Sequence, residues 1–337
     1  MNKTILILLT AALTSTALAR DPLLLGNDAW PPFIITGKQQ GTAEQLVCEA
    51  LRRSGWSCSV EVKEWETVLN EVRVGVIDGV AAAWLTPERE TYMLFSEPYL
   101  SNRIIPVISA DNPASIESLA DLSGLRVAMV KNYAYGDEIE AAVSGFELVS
   151  VRNSQRAMKA VLQGSADVAL VDELVARDEL YKSEMSSLSA LDTVLAVRNL
   201  HLAVSRRHPL AQGIVDDFER AYKVMLQDGT VNEILNVDWL ATDFGQSGTM
   251  DVVLRSGSNL DTLSNPSSSG SVYALETSEY QTMRNQGLQN TGVNYKVEGK
   301  SYSSLQSALE DVFGKDTVCK HKNFTSEFDC TDLFRQR

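Results

Sequence analysis

Histidine, cysteine and basic residues are scarce in this sequence. Its 337 residues include 3 histidines and 4 cysteines, and 30 lysines and arginines face 44 aspartates and glutamates, for a net charge of −14. So few imidazoles and thiols leave little material for a metal centre or a histidine-activated nucleophile. We therefore predict no metal and no cofactor. An acidic surface repels nucleic acids and anionic lipids, although the same acidity also suits a secreted protein that only needs to stay in solution.

Long apolar runs are missing after residue 19. Residues 1–19 follow the pattern of a secretory signal peptide, with Lys3, an apolar stretch at 5–13 and a small-residue cleavage site at 17–19. We expect the mature chain to begin at Arg20, and the loss of Lys3 makes its charge more negative by one. A membrane anchor is the alternative, but the run is too short to cross a bilayer. Because the first cysteine is Cys48, none is placed to carry a lipid, and we expect a free periplasmic protein.

The cysteines form two local pairs, Cys48 with Cys58 and Cys319 with Cys330. An exported chain meets an oxidising environment that permits disulfides, so we predict two short-loop bridges. Metal ligation is the rival interpretation, but neither pair has the close spacing of a zinc knuckle.

Short apolar runs alternate with amphipathic stretches from residue 22 to about 245, which is typical of an α/β fold with largely parallel sheets. The pattern predicts strands at 23–25, 58–62, 80–83, 104–109, 125–130, 147–151, 167–171, 195–197 and 201–205. It predicts helices at 43–54, 65–74, 136–144, 154–162, 210–227 and 231–240. A turn cluster at 111–113 separates two runs of elements, so one α/β unit interrupts another. Flexible Gly- and Ser-rich segments follow, and they predict a linker and small C-terminal module of unknown role at 246–337.

The segment from Trp84 to Glu90 begins a helix directly after a predicted strand. Thr86 is a suitable N-cap and Pro87 suits the first helical position. Ligands of open α/β sheets bind at this end of the strands. Arg89 lies in the first helical turn, where the helix dipole disfavours a cation, and such violations concentrate at functional sites. Its guanidinium can hold a carboxylate through two bonds, so Arg89 is a candidate anion-binding residue; a structural salt bridge is the alternative.

Two further candidates also follow predicted strands. Asp172 follows the apolar run at 167–171 and can receive an ammonium group, or it can simply cap a helix. Trp30 follows the first strand within Trp-Pro-Pro-Phe, whose prolines hold an extended turn. Its ring can cover a ligand, or it can belong to the core.

Several motifs occur together in one order along the chain. They are Trp-Pro-Pro-Phe at 30–33, Val-Gly-Val-Ile-Asp-Gly at 74–79, Thr-Pro-Glu-Arg at 86–89, Phe-Ser-Glu-Pro-Tyr at 95–99, Leu-Ala-Asp-Leu-Ser-Gly at 119–124, and Gly-Ser-Ala-Asp at 164–167 followed by Asp172. In this order they resemble the family 3 extracellular solute-binding proteins, the polar amino acid receptors of ATP-driven importers, over about residues 23–240.

The resemblance implies a two-lobed periplasmic-binding-protein fold of type II with two hinge crossovers, near 108–111 and 200–205. Lobe 1 would comprise 20–109 and 205–245, and lobe 2 would comprise 110–204. The carboxylate-binding arginine falls on Arg89, the ammonium-binding aspartate on Asp172, and the covering aromatic on Trp30 with Asn27 nearby. Some members tie the first helix to the next strand with a disulfide, as Cys48 and Cys58 would.

Two segments depart from the family pattern. Relatives often have small hydroxyl residues before Thr86, where this chain has Ala81, Ala82, Ala83 and Trp84. The second-lobe loop, commonly Gly-Thr-Thr or Gly-Ser, is Lys-Asn-Tyr-Ala-Tyr-Gly at 131–136. We therefore expect a more aromatic pocket, lined by Trp84, Tyr133 and Tyr135 in addition to Ala82 and Thr86.

These observations together predict a monomeric binding protein that performs no chemistry. It would close around a small amino-acid-like or carboxylate ligand and deliver it to the membrane permease of an ABC importer. A ligand-sensing partner of a membrane receptor, with the C-terminal module as its docking part, is the first alternative. A dehydratase-like enzyme on the same fold is the second, with Glu173 beside Asp172 as its acid or base.

Overall fold

A computed structural model describes residues 22–111, 115–181, 185–237, 239–242, 250–254, 293–297 and 299–320. The predicted signal peptide and Cys330 lie outside the described residues. Within these ranges, no helix combines the length and apolarity that crossing a bilayer requires.

The first α/β run, up to the end of β5, confirms most of the predicted elements. Its strands are β1 (Leu23–Asn27), β2 (Cys58–Val62), β3 (Gly79–Trp84), β4 (Met93–Phe95) and β5 (Leu100–Ser109). Its helices are α1 (Thr42–Arg53), α2 (Trp65–Val74) and α3 (Pro87–Glu90). All of β3 is buried, because it lies between β1 and another strand within the sheet. A strand that is buried on both faces has an apolar sequence without alternation, as β3 does.

The second run continues the alternation. Its strands are β6 (Arg126–Val130), β7 (Glu147–Val151), β8 (Val168–Asp172), β9 (Leu188–Ala190) and β10 (Ala196–Ser205). Its helices are α4 (Asp137–Ala142), α5 (Ser154–Leu162) and α6 (Glu173–Leu180), followed after β10 by α7 (Ala211–Gln227) and α8 (Thr230–Leu235). Two short strands predicted at 195–197 and 201–205 form the single strand β10, because continuous pairing, first with β5 and then with β3 and β4, keeps it extended.

These strands form one ten-stranded sheet in the order β2-β1-β3-β10-β5-β8-β6-β7, with β4 on β10 and β9 on β5. We call β2-β1-β3-β10 with β4 the first half-sheet, and β5-β8-β6-β7 with β9 the second half-sheet. The long strands β5 and β10 join the halves by pairing with each other from Leu100↔Leu200 to Ile104↔Ala196. Beyond that stretch β5 pairs with β8 from Ile104 onwards. The halves therefore meet several residues before the predicted crossovers, and the lobe boundaries stay a prediction.

A second, four-stranded sheet follows α8. Its strands are β11 (Trp239–Thr242), β12 (Met250–Leu254), β13 (Val293–Val297) and β14 (Lys300–Tyr302), in that order, followed by α9 (Leu305–Phe313) and α10 (Lys315–Lys320). The helix predicted at 231–240 is wrong after Leu235, because Asn236 adopts the left-handed conformation that ends a helix. The chain therefore enters this sheet at Trp239, before the predicted boundary near 245. Cys319 is buried in α10.

The Cys48–Cys58 disulfide is confirmed, with the two Cα atoms 5.6 Å apart. It fastens α1 to β2, the outer strand of the first half-sheet. The apolar face of α1 packs on the sheet through Leu46, Val47 and Leu51, which are fully buried.

Candidate ligand-binding site

Arg89 is held in place by the start of α3. The Thr86 hydroxyl accepts a hydrogen bond from the Arg89 backbone at 3.1 Å, and Pro87 occupies the first turn. The Arg89 side chain is only 4% exposed. Its Nη1 donates to the Trp84 carbonyl at 2.7 Å, and its Nη2 donates to the Asn132 carbonyl at 2.8 Å. Asn132 follows β6, so the second bond joins the two half-sheets.

The Arg89 guanidinium has no directly paired carboxylate among the described residues, although the Asp28 carboxyl is close enough to interact with it electrostatically. Arg89 forms no salt bridge with any residue that the structure describes, so the alternative of a structural ion pair is not observed in that part of the chain. Its guanidinium lies 5.1 Å from the centre of the Trp65 ring, where the aromatic face attracts a cation. Burial lowers the pKa of the guanidinium from its ordinary value. A buried cation with bonds to carbonyls alone is well suited to receive an anion.

Aromatic rings from both half-sheets surround this cation. The ring centres of Trp30 and Trp84 are 5.4 Å apart, and Tyr133 lies 5.4 Å from Trp84 and 5.9 Å from Trp30. All three pairs meet edge to face, which is a favourable arrangement for aromatic rings. Trp65 and Tyr135 complete the group. The predicted aromatic residues Trp30, Trp84, Tyr133 and Tyr135 are therefore close together.

A small cavity lies among these residues, and we call it the central cavity. It is lined by Asp28, Trp30, Trp65, Ala82, Ala83, Trp84, Arg89 and Tyr133. Its volume is about 20 Å³, which is room for about one water molecule. Side chains from both half-sheets thus nearly fill the space in front of Arg89.

Asp28 lines this cavity, although the sequence did not single it out as a site residue. Its Oδ2 accepts a hydrogen bond from the Tyr133 hydroxyl at 2.7 Å, across the two half-sheets. The side chain is buried, and that burial raises its pKa to about 6. Asp28 directly follows the last residue of β1, so the strand-end criterion applied to Asp172 would also have selected it.

Asp172 ends β8 and caps α6. Its Oδ1 accepts hydrogen bonds from the backbone nitrogens of Leu174 at 2.9 Å and Val175 at 3.1 Å. Burial raises its pKa to about 7, against the effects of those backbone bonds and the neighbouring Asn102 amide. Asn102 in turn accepts a hydrogen bond from Trp84 Nε1 at 2.7 Å. Asp172 does not line the central cavity, and its joint action with Arg89 on one ligand stays a prediction.

The remaining predicted residues have defined places. The Asn27 side-chain amide donates to the Ala82 carbonyl and accepts from the Ala82 nitrogen, at 2.9 Å each, and these bonds join β1 to β3. Ala82 lines the central cavity, and Thr86 caps α3. The Tyr135 hydroxyl accepts from the Val130 nitrogen at 3.0 Å. Their roles in ligand binding stay predictions.

Glu173, the alternative acid or base, is engaged in ion pairs. Arg177 lies 2.6 Å from its Oε1, and Arg103 of β5 lies 3.3 Å from its Oε2. The Arg103 contact fastens α6 to the second half-sheet, whereas the Arg177 contact lies within α6.

Comparisons with known proteins agree with this architecture. The L-cystine-binding protein TcyJ of Escherichia coli K12 is 24% identical over 229 residues, which cover 66% of this chain and 84% of TcyJ. The virulence sensor protein BvgS of Bordetella pertussis is 27% identical over 182 residues, or 52% of this chain but only 14% of BvgS.

Solved structures show the same fold. An ancestral arginine-binding protein bound to arginine superposes with a TM-score of 0.58 at 22% identity, covering 64% of this chain and 98% of that protein. A histidine kinase sensor domain with similarity to periplasmic binding proteins gives a TM-score of 0.59 at 18% identity, covering 64% of this chain and 95% of that domain. The predicted two-lobed type II fold is confirmed. The sequence profile of the bacterial extracellular solute-binding proteins, family 3, matches residues 23–241, and the chain belongs to this family.

Proposed function

We propose that the protein captures a small zwitterionic or carboxylate ligand in the periplasm, by closure of its two lobes, and delivers it to an ABC importer. The observation that carries this proposal is Arg89, a buried guanidinium beside an aromatic cavity between the half-sheets. An anionic ligand group that replaces the Asn132 carbonyl would gain a charge-assisted bond. It would also give Arg89 the direct ion-pair partner that is not found among the described residues.

Asp28 supplies the opposite pole of the proposed site. Its carboxyl lines the same cavity as Arg89 and accepts a hydrogen bond from the Tyr133 hydroxyl. A ligand ammonium group that replaced this hydroxyl would favour the charged form of Asp28. Carboxylate and ammonium groups of one ligand would then be bound at two ends of one cavity, with Trp30 and Trp84 covering the part between them.

The test is ligand-dependent thermal unfolding of the wild type and of Arg89→Ala, with L-amino acids and small carboxylates as probes. A ligand at about 100 times its Kd adds about 2.7 kcal/mol to the stability of the folded state. For a protein of this length that is a rise in Tm of several degrees. Arg89→Ala should lose the rise, whereas Arg52→Ala, on the exposed face of α1, should keep it. Unaltered binding by Arg89→Ala would contradict the proposal.

The proposed protein binds without chemistry and acts as a monomer. Mass spectrometry after incubation should therefore recover the bound probe unchanged, and a product of altered mass would support the enzyme alternative. Sedimentation at increasing protein concentration checks the oligomeric state.

Ligand sensing is the second candidate function, and the similarity to the sensor BvgS favours it. The second sheet, attached at α8 where the Asn232 amide donates to the Val253 carbonyl at 3.2 Å, would then be the docking part. A neighbouring gene for an importer permease supports transport, and a neighbouring gene for a sensor kinase supports sensing.

A further inference from the structure

A second and larger cavity lies between the half-sheets, next to the central cavity. We call it the outer cavity. One side of this cavity is lined by residues 29–31, 35 and 36, which follow β1. The other side is lined by the start of α5 and by α6, including Ser154, Asp178 and Glu179. Its volume is about 420 Å³, against about 20 Å³ for the central cavity. Only the larger volume is in the range of small-molecule sites.

Trp30 and Tyr133 separate the two cavities. Trp30 lines both of them. Tyr133 lines the central cavity, its hydroxyl donates a hydrogen bond to Asp28, and the nearby Ser154 hydroxyl also affects the pKa of Tyr133. Since Asp28 lines the central cavity and Ser154 the outer one, the Tyr133 side chain stands where the two spaces would otherwise connect.

One movement would free both charged groups of the central cavity. The Asn132 carbonyl accepts a hydrogen bond from the Arg89 guanidinium, and the hydroxyl of the adjacent Tyr133 donates one to the Asp28 carboxyl. Asn132 has a left-handed backbone with φ of 62°, which is an uncommon conformation for a residue other than glycine. Withdrawal of this single turn would uncover the guanidinium and the carboxyl together and would open the way to the outer cavity.

The charges of the joined space differ from end to end. The central end holds Arg89 together with Asp28, whereas the charged residues lining the outer cavity, as far as the structure describes it, are the acidic Asp178 and Glu179. A carboxylate is therefore favoured beside Arg89, and a cation is favoured at the outer end. The Trp30 ring between them suits an apolar connecting chain.

We propose that Tyr133 is a displaceable plug between the two cavities, and that the joined site takes an extended zwitterion with its carboxylate at Arg89 and a cationic group in the outer cavity. This inference rests on the proposed function for its ligand. The separation of the cavities by Tyr133 does not depend on any ligand, and it can be tested alone.

The first experiment measures acrylamide quenching of tryptophan fluorescence without ligand. Trp30, Trp65 and Trp84 border the central cavity, out of 5 tryptophans in the chain. Tyr133→Ala should raise the quenching slope, because it opens these rings to the outer cavity and to solvent. Tyr181→Ala, which removes a tyrosine that is 94% exposed, should not. If Tyr133→Ala does not fold, Tyr133→Phe must raise the slope by loss of the hydroxyl bond to Asp28. An unchanged slope in the folded variant overturns the plug.

The second experiment tests the outer cavity by calorimetric titration with L-arginine, which is long and cationic, and L-alanine, which is short. Thr36 lines the outer cavity and is exposed, so Thr36→Trp should fill that space and weaken L-arginine binding by about tenfold or more. L-Alanine binding should stay unchanged. Thr67→Trp, at an exposed position of α2, is the matched control and should bind both as the wild type does.

The outcomes separate the two proposals. Full L-arginine affinity in Thr36→Trp overturns the outer subsite and leaves the proposed function standing. If the wild type binds L-alanine but not L-arginine, the proposal of an extended ligand is overturned and the proposed function again stands. Binding of both probes by Arg89→Ala instead contradicts the proposed function, and the quenching experiment still decides whether Tyr133 separates the cavities.

Discussion

Asp28→Asn should stabilise the unliganded protein at neutral pH while it abolishes ligand binding. The carboxyl is buried and faces the central cavity, where burial is the main cause that raises its pKa to about 6. An asparagine of nearly the same shape keeps an oxygen that accepts the Tyr133 hydrogen bond. The substitution therefore removes a buried charge without removing the contact between the half-sheets.

The magnitude follows from the difference in pKa. The Asp28 carboxyl titrates at about 6 in the folded chain, against 3.8 as the ordinary value. Because the folded state holds the proton more tightly, stability is fully present below the lower value and is lost as the pH rises between the two. At about 1.4 kcal/mol per pH unit, the loss reaches about 3 kcal/mol above neutrality. Asp28→Asn should avoid this loss.

The assay is urea unfolding of the wild type and of Asp28→Asn at several pH values. The difference between their free energies of unfolding should be small near about pH 4 and should approach about 3 kcal/mol in favour of the variant above about pH 7. Asp192→Asn, which changes a fully exposed carboxylate, should show no such trend. A difference for Asp28→Asn that is independent of pH would refute the reasoning. Retained affinity for amino acids would refute the assignment of Asp28 as the ammonium-binding pole.

Three further substitutions test the scaffold around the site. Gly79→Ala should destabilise the protein by about 1–3 kcal/mol, because its Cβ would lie 2.3 Å from the Ala203 carbonyl oxygen in the adjacent strand; an unchanged Tm would contradict this close approach. Leu46→Ala should cost about 2–5 kcal/mol in chemical unfolding, because the side chain is fully buried where α1 meets the sheet; a cost below about 1 kcal/mol would show that the site collapses. Replacement of Cys48 and Cys58 by serine should lower the free energy of unfolding by about 2–3 kcal/mol, because the disulfide closes a loop with a sequence separation of 10. Equal free energies of unfolding for the oxidised wild type and the variant would contradict this contribution of the disulfide.

Local sequence determined the elements whose signals lie within a few residues. Thr86 and Pro87 begin α3 as predicted, because an N-cap and a proline at the first position act over a single turn. Arg89 is a cation in the first helical turn, against the preference of the helix dipole, and this local violation identified a residue that does line the central cavity. The Cys48–Cys58 bridge was also predictable, since it closes a short loop between neighbouring elements. The ordered motifs identified the family correctly.

The tertiary structure alone decided which groups face one another. Asp28 and Tyr133 are 105 residues apart, and no local pattern specifies that they form a hydrogen bond. The same holds for Arg89 and the Asn132 carbonyl, 43 residues apart, and for the placing of Trp84 against Asn102. These contacts depend on how the long strands β5 and β10 bring two half-sheets together. Periodicity and capping describe one element at a time, so the two cavities and the tyrosine between them emerge only when both halves have packed.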